Sequence, residues 1–278
     1  MTENVAGQGQ VQSPSSGVGQ GLYEESVSQK GPLGARQALE DGRAYRYAQF
    51  TAVAVAAGVA VAQDATSQKA GEMAATAVSD SAGDAADIAA SDTVTRLYFQ
   101  DTDILTAANS DDVFAGGYLH HLNSATGGYT YKIRSNTYTA STSVMQVDLY
   151  DSILENMDSQ DEASITGNLY VNVTIANNGS DDNVSGVTVR NVTASYYAWV
   201  QTWGPATILA DESVGTIAQG TLAVLSDGVN GAAEPWNVPA QNSEDDTGIV
   251  NWAEPYIGMF LGAATNGNYV GVFLQISP

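Results

Sequence analysis

The neighbouring pairs with the clearest chemical potential in this chain are Asp111-Asp112, Asp181-Asp182, Asp245-Asp246 and His120-His121. Paired loop acids can hold Ca²⁺ together with carbonyl oxygens, but none of these pairs has the ligand spacing of an EF-hand loop. In stretches rich in Gly, Ser and Asn, short acids are first of all turn formers that bond their own backbone. They therefore read as solvated turn acids, with a structural Ca²⁺ or other cation as the open alternative. The two histidines fall in a strand-like run, where adjacent side chains point to opposite faces, so they cannot share one metal ion. Each reads as a packing or hydrogen-bonding residue. A glycoside hydrolase needs two carboxylates about 5 to 9 Å apart, and no spacing here selects such a pair. A phosphate loop ending in Lys-Ser/Thr, a Gly-x-Ser-x-Gly elbow and a zinc-protease motif are all missing. With no cysteine in the chain, thiolate catalysis, disulfides and Cys-built zinc sites are excluded. The residues point to a protein with no catalytic role and no cofactor.

Charge narrows the partners. Nine Lys and Arg face 31 Asp and Glu, a net of −22, which repels a phosphate backbone and argues against nucleic acid. Self-repulsion on this scale opposes a compact state at ordinary ionic strength and is screened near 1 M salt, where the Debye length is roughly 3 Å. The acidic, lysine-poor composition thus predicts a halophilic protein. Half of the six arginines, Arg36, Arg43 and Arg46, crowd into one short stretch beside Tyr45 and Tyr47. Their bidentate forks suit carboxylates, either on a partner or on this chain. Thr51 to Ala62 is the most apolar run, but a membrane-spanning helix needs about 20 apolar residues, so no membrane segment is read there.

Residues 1 to 32 are rich in Gly, Ser and Gln with no apolar periodicity, and Met1-Thr2-Glu3-Asn4 lacks the basic start of a secretory signal. They are read as an extended N-terminal arm that orders by lying on a neighbour, with Leu22, Tyr23 and Val27 as anchors. Alternation then predicts strands at Arg43–Phe50, on either side of Gly58 within Thr51–Ala62, and at Val94–Gln100, Tyr129–Ser135, Ser143–Tyr150, Leu169–Ala176 and Val184–Thr193. Thr66 to Ala90 reads as one helix or as a polar loop. In the last third, Trp199 and Trp203 share a predicted core face, Asn266-Gly267 signals a type I′ hairpin, and Val270, Val272, Leu274 and Ile276 line one side of the final strand. The fold class is all-β: an antiparallel sandwich or barrel at 33–278, with a C-terminal β module at 195–278, an N-terminal arm and at most one short helix. Asn172, Asn178, Asn183 and Asn191 each open an Asn-x-Ser/Thr acceptor pattern for glycosylation.

The order Trp-Val-Gln-Thr-Trp-Gly-Pro-Ala (199–206), a Gly-spaced hairpin, Ile-Gly-Met-Phe-Leu (257–261) and Asn-Gly-Asn-Tyr-Val-Gly-Val-Phe-Leu (266–274) resembles the C-terminal module of capsid decoration, or cement, proteins of tailed viruses. Leu33-Gly34-Ala35-Arg36 and Asp41-Gly42-Arg43-Ala44-Tyr45-Arg46-Tyr47-Ala48 are similar to the N-terminal signature of the same group. Together these pieces span roughly half the chain. The resemblance implies a structural virion protein on the outer capsid surface, a cement or turret subunit that bridges capsomers in a virus of a salt-loving archaeal host. Its implied partners are the major capsid protein and copies of itself, with a trimer as the expected homo-oligomer. Tyr23, Arg36, Arg43, Tyr45, Arg46 and Tyr47 are the contact residues expected, with the tyrosines exposed. The other reading is a tail fibre, spike or adhesion domain that binds host glycans.

Overall fold

The β-branched and aromatic alternation of this chain is realised as antiparallel strands in the computed structural model, which describes residues 18–64, 78–79, 95–99, 111–122, 127–139, 144–157, 163–177, 183–213, 215–236 and 255–278. Among these residues the fold is all-β and has no helix. The chain divides into two compact units, the first made of residues 1–63 and 170–278 and the second of residues 64–169. The division therefore falls inside the stretch from 33 to 278 that reads as one body in the sequence.

Unit 1 opens with β1 (Glu25–Ser26), β2 (Arg36–Ala38), β3 (Ala44–Gln49) and β4 (Ala60–Gln63). Unit 2 holds β5 (Val78–Ser79), β6 (Arg96–Phe99), β7 (Tyr118–His121), β8 (Thr130–Thr139), β9 (Val144–Leu149) and β10 (Ala163–Thr166). The chain returns to unit 1 with β11 (Val173–Ile175), β12 (Val184–Thr188), β13 (Tyr197–Leu209), β14 (Leu222–Leu225), β15 (Ala233–Pro235), β16 (Tyr256–Phe260) and β17 (Tyr269–Gln275).

The hub of unit 1 is β13. It pairs antiparallel with β1, β3, β12 and β17, and the sheet runs β11-β4-β12-β13-β17-β16-β14-β15. The sheet curls: Ala60 N–H donates to Gly231 O at 2.8 Å and Gly231 N–H donates to Ala176 O at 2.9 Å, tying the turn before β15 to the strands at the other end. Gly231 is needed there, since its φ is +72° and a Cβ would lie 2.3 Å from Val59 Cγ1. Inside the curl, Val270, Val272 and Leu274 of β17 pack with Ile208, Ile257, Phe260 and Leu225, and Ile276 joins at the rim. The predicted face of the last strand is therefore the core face.

On β3 the predicted alternation also holds, although both of its faces are covered. Ala48 and Phe50 belong to one cluster with Val61, Val173 and Val200. Tyr45 and Tyr47 belong to another with Trp199, Leu22 and Leu39. The cover on the tyrosine side comes from residues 18–31. Gln20 Nε2 donates to Glu24 O and Tyr197 O at 2.8 and 3.0 Å, Tyr47 Oη donates to Gln20 Oε1 at 2.8 Å, and Trp199 Nε1 donates to Gln20 O at 3.1 Å. Gly19 N–H donates to Lys30 O at 3.3 Å, so the loop closes on itself. From Val18 onward, the expected N-terminal arm thus lies on its own chain, with Leu22 as the buried anchor and Tyr23 and Val27 exposed.

Several local expectations are corrected. Only β4 forms in Thr51–Ala62; Val55 makes one isolated bridge to Val192 and no strand precedes Gly58. Of the two valines before Gly58, Val55 is buried and Val53 is exposed. The loop between β16 and β17 is not a two-residue hairpin. Asn268 N–H closes a turn on Thr265 O, and only Gly267 has positive φ, whereas type I′ requires it at both central positions. Asn172 and Asn191, placed in strands by pattern, lie outside them, and Asn172 adopts φ +52°. A register shift between Gln201 and Trp203 rotates Trp203 away from the core. Its ring instead meets Phe273 edge-on at 6.0 Å. Except for the β5 pair 78–79, Thr66–Ala90 lies outside the described residues.

Unit 2 is one sheet in the order β10-β7-β8-β9-β6-β5. Its core gathers Leu97, Leu119, Ile133, Met145, Val147, Leu149 and Ile165. Arg96 Nε donates to Asp148 Oδ1 at 2.6 Å across the paired strands β6 and β9, and Ser135 and Gln146 also donate to this carboxylate. The Arg96 hydrogen bond, against the opposing effect of burial, holds the Asp148 carboxyl below its ordinary value. A depressed folded-state pKa contributes stability that is fully present above the unfolded value, about 3.9, and is lost as pH falls through the folded value. Acid titration of the intact protein should therefore show a step below about pH 4 that Asp148→Asn removes. An unchanged acid limb in Asp148→Asn would show that this pair does not contribute.

Candidate binding groove

A groove on unit 1 has a volume of about 490 Å³ and is lined by Tyr23, Arg43, Gly58, Thr188, Asn191, Gln201, Thr207 and Tyr269, among others. This falls within the roughly 300 to 1,000 Å³ of small-ligand clefts. Local sequence explains the Arg43 side. The Asp41-Gly42 turn, with Gly42 at φ +87°, lets Asp41 Oδ1 accept the Arg43 backbone N–H at 3.0 Å. Asp41 Oδ2 then lies 2.7 Å from Arg43 Nη2. The hydrogen bonds from Arg43 hold the Asp41 carboxyl below its usual range. The guanidinium sits 5.9 Å above the Tyr45 ring, and its Nη1 approaches Tyr23 Oη at 3.5 Å. Burial pushes the Tyr45 phenol well above its usual value, so it stays neutral and a hydrogen donor across the working pH range.

On the opposite side, Gly58 has φ +70° and a Cβ there would meet Tyr269 Cε1 at 2.8 Å, so only glycine lets the tyrosine ring lie against this turn. Asn191 Oδ1 accepts Ala57 N–H at 2.9 Å and fixes the same turn. Gln201 is 3 % exposed and gives both amide hydrogens to backbone, to Trp203 O at 3.0 Å and Pro205 O at 2.8 Å. Its Oε1 is the acceptor left at the groove wall.

The expected contact residues divide. Tyr23 is 54 % exposed and stands at the groove beside Arg43. Tyr45 and Tyr47 are 0 % exposed, so the expectation that they are surface aromatics is corrected: the loop at 18–31 covers them. Arg36 Nε donates to Pro278 O at 2.9 Å. Arg46 donates to Gly34 O at 3.1 Å and to Ser277 Oγ at 3.2 Å. The arginine cluster therefore meets groups on its own chain. In unit 2, His120 and His121 point to opposite faces as predicted: His120 bonds the Thr130 and Thr166 hydroxyls, and His121 is buried. Asp111 and Asp112 sit in the exposed turn 111–116, and no cluster of three metal-ligating side chains occurs among the described residues. Asp181, Asp182, Asp245, Asp246 and Asn178 lie outside those residues. Sequence reasoning missed Gln20, Gln201 and Tyr269. The glycine at position 58, in an otherwise apolar run, was the available signal that something packs close to the backbone.

The fold places the chain in the class of all-β proteins built from antiparallel sheets, the one in unit 1 curled. No protein-family profile and no curated protein matches it. A solved structure with which it shares some likeness is the head fiber gp8.5 N base of bacteriophage phi29, at 13% identity and a TM-score of 0.23, over 60% of this chain and 88% of that one. A superposition this partial carries no inference about what the chain does.

Proposed function

We propose that this chain is a structural protein of a tailed-virus virion, a decoration subunit on the outer capsid surface that bridges neighbouring capsomers, and not an enzyme. The observation that carries this reading is an uncharged row across the outer face of the last strands of unit 1. Leu222 pairs with Met259, Met259 with Phe273 and Phe273 with Pro205, with Trp236 flanking Leu222 and Trp203 against Phe273. Leu222, Met259, Pro205 and Trp236 are exposed. In a chain of net charge −22, a strip of apolar side chains four strands wide is a surface shaped for burial against another protein. The resemblance of 199–206 and 257–274 to cement proteins falls on the strands that carry this row. The proposed partners are the major capsid protein and further copies of the chain, closed as a trimer.

Co-sedimentation with undecorated capsids in high salt tests this. The full chain should bind saturably, and Leu222→Asp/Met259→Asp, which alters two exposed positions, should lose at least about tenfold in affinity while keeping its circular dichroism. Equal binding by the double variant, or no binding by either form, overturns the reading.

A further inference from the structure

We infer that the groove between Tyr23 and Tyr269 is a binding site for an uncharged saccharide, one that adjoins the apolar row proposed to meet the capsid at Pro205. Tyr23 and Tyr269, 54 % and 52 % exposed, line the groove, and such rings combine a flat apolar body with a polar tip. Tyr269 is held against Gly58, whose backbone is fixed by Gly58 N–H to Thr188 O and Leu209 N–H to Gly58 O, each at 2.8 Å. Tyr23 is placed by Arg43 and by its own carbonyl, which accepts from Arg190 Nη1 at 2.7 Å. The platforms are therefore set before a ligand arrives.

The deciding group of the lining is Gln201. Gln201 is 3 % exposed, and its Nε2 is committed to two carbonyls, which fixes the amide plane and leaves Oε1 as an acceptor with no donor among the described residues. A buried amide oxygen at a wet wall takes a hydroxyl or N–H donor. Arg43, the charged residue of the described lining, is neutralised by Asp41 at 2.7 Å, and Arg190 beside Tyr23 is paired with Glu25 at 3.3 Å, so neither offers unbalanced charge to an anion, and the net charge of −22 opposes one. Flat apolar faces with an amide acceptor, hydroxyl groups and no net charge fit a ring that carries C–H faces and many hydroxyls, which is a neutral sugar. The cleft volume of about 490 Å³ admits a short oligosaccharide end.

The test is saturation-transfer NMR on the full-length protein with maltotriose, cellotriose, mannotriose and N,N′,N″-triacetylchitotriose as neutral probes and sialyllactose as the anionic one. At least one neutral probe should show saturable transfer. Tyr269→Ala should weaken it about tenfold and Tyr269→Phe should retain it, as stacking needs the ring and not the hydroxyl. Tyr23→Ala should weaken transfer as well. Tyr269 is not a member of the apolar row, so capsid co-sedimentation of Tyr269→Ala should match the parent protein. Absence of transfer from every neutral probe, transfer from sialyllactose alone, or equal binding by both alanine variants overturns the inference without touching the capsid reading.

Discussion

Trp199→Ala is expected to cost about 3–5 kcal/mol of folding stability, the range for removing a large buried aromatic. Trp199 is 0 % exposed in the middle of β13, directly paired with Tyr47 of β3, and the two rings lie 5.3 Å apart at 59°. The loss has a second part. Without the indole N–H, the Gln20 carbonyl is left unpaired at a buried position, a penalty of about 1–3 kcal/mol that Trp199→Phe isolates from the loss of ring volume. Urea denaturation of the two variants measures both parts. The alanine variant should also speed trypsin cleavage at Lys30, whose side chain is already exposed, because Lys30 N–H donates to the Tyr47 hydroxyl that the same cluster positions. A change below about 1 kcal/mol for Trp199→Ala would mean that this cluster is not packed as described.

Gly258→Ala is the second large effect, and its cause is different. Gly258 has no unusual backbone angle; what it lacks is room. A Cβ would lie 2.0 Å from Phe273 O and 3.1 Å from Leu274 Cα, both main-chain atoms that no side-chain rotation can move. Relief comes only by opening β16 from β17, and overpacking of this kind costs about 1–3 kcal/mol or more. At about 2–4 °C per kcal/mol for a body of this size, the melting temperature should fall by about 2 to 12 °C. Gly262→Ala is the matched control, since nothing lies within 4 Å of its Cβ position and its φ is not positive. The Met259–Phe273 pair flanks the same contact, so Gly258→Ala should also weaken capsid binding. Equal melting of the two variants would contradict the close approach.

The strands were legible wherever alternation was enforced by one buried face, as in β8, β9 and β17. The reading failed where a distant segment changed the environment. Tyr45 and Tyr47 look like surface aromatics because the residues that cover them, Gln20 and Leu22, belong to a polar stretch with no strand signature. Trp203 was assigned to the core by counting two-residue steps from Trp199, and one register shift after Gln201 breaks that count. Ala52 to Ala57 alternates like a strand and finds no partner beyond one bridge. The groove was half visible. Arg43 and Tyr23 stood out by type, but Gln201 and Tyr269 reach it through the pairing of β13 with β3 and β17, and nothing in local sequence encodes that convergence.

The closed loop at residues 18–31 gives unit 1 a mechanical property. A pull applied at Val18 does not peel the chain away one bond at a time, because the bonds around Gln20, to Glu24, Tyr47, Tyr197 and Trp199, sit behind the point where Val18 packs on Gly31. They must break together, with Leu22 dragged from its cluster in the same event. Force entering from that end is therefore delivered into β13, the strand with the most partners, and is shared across the sheet.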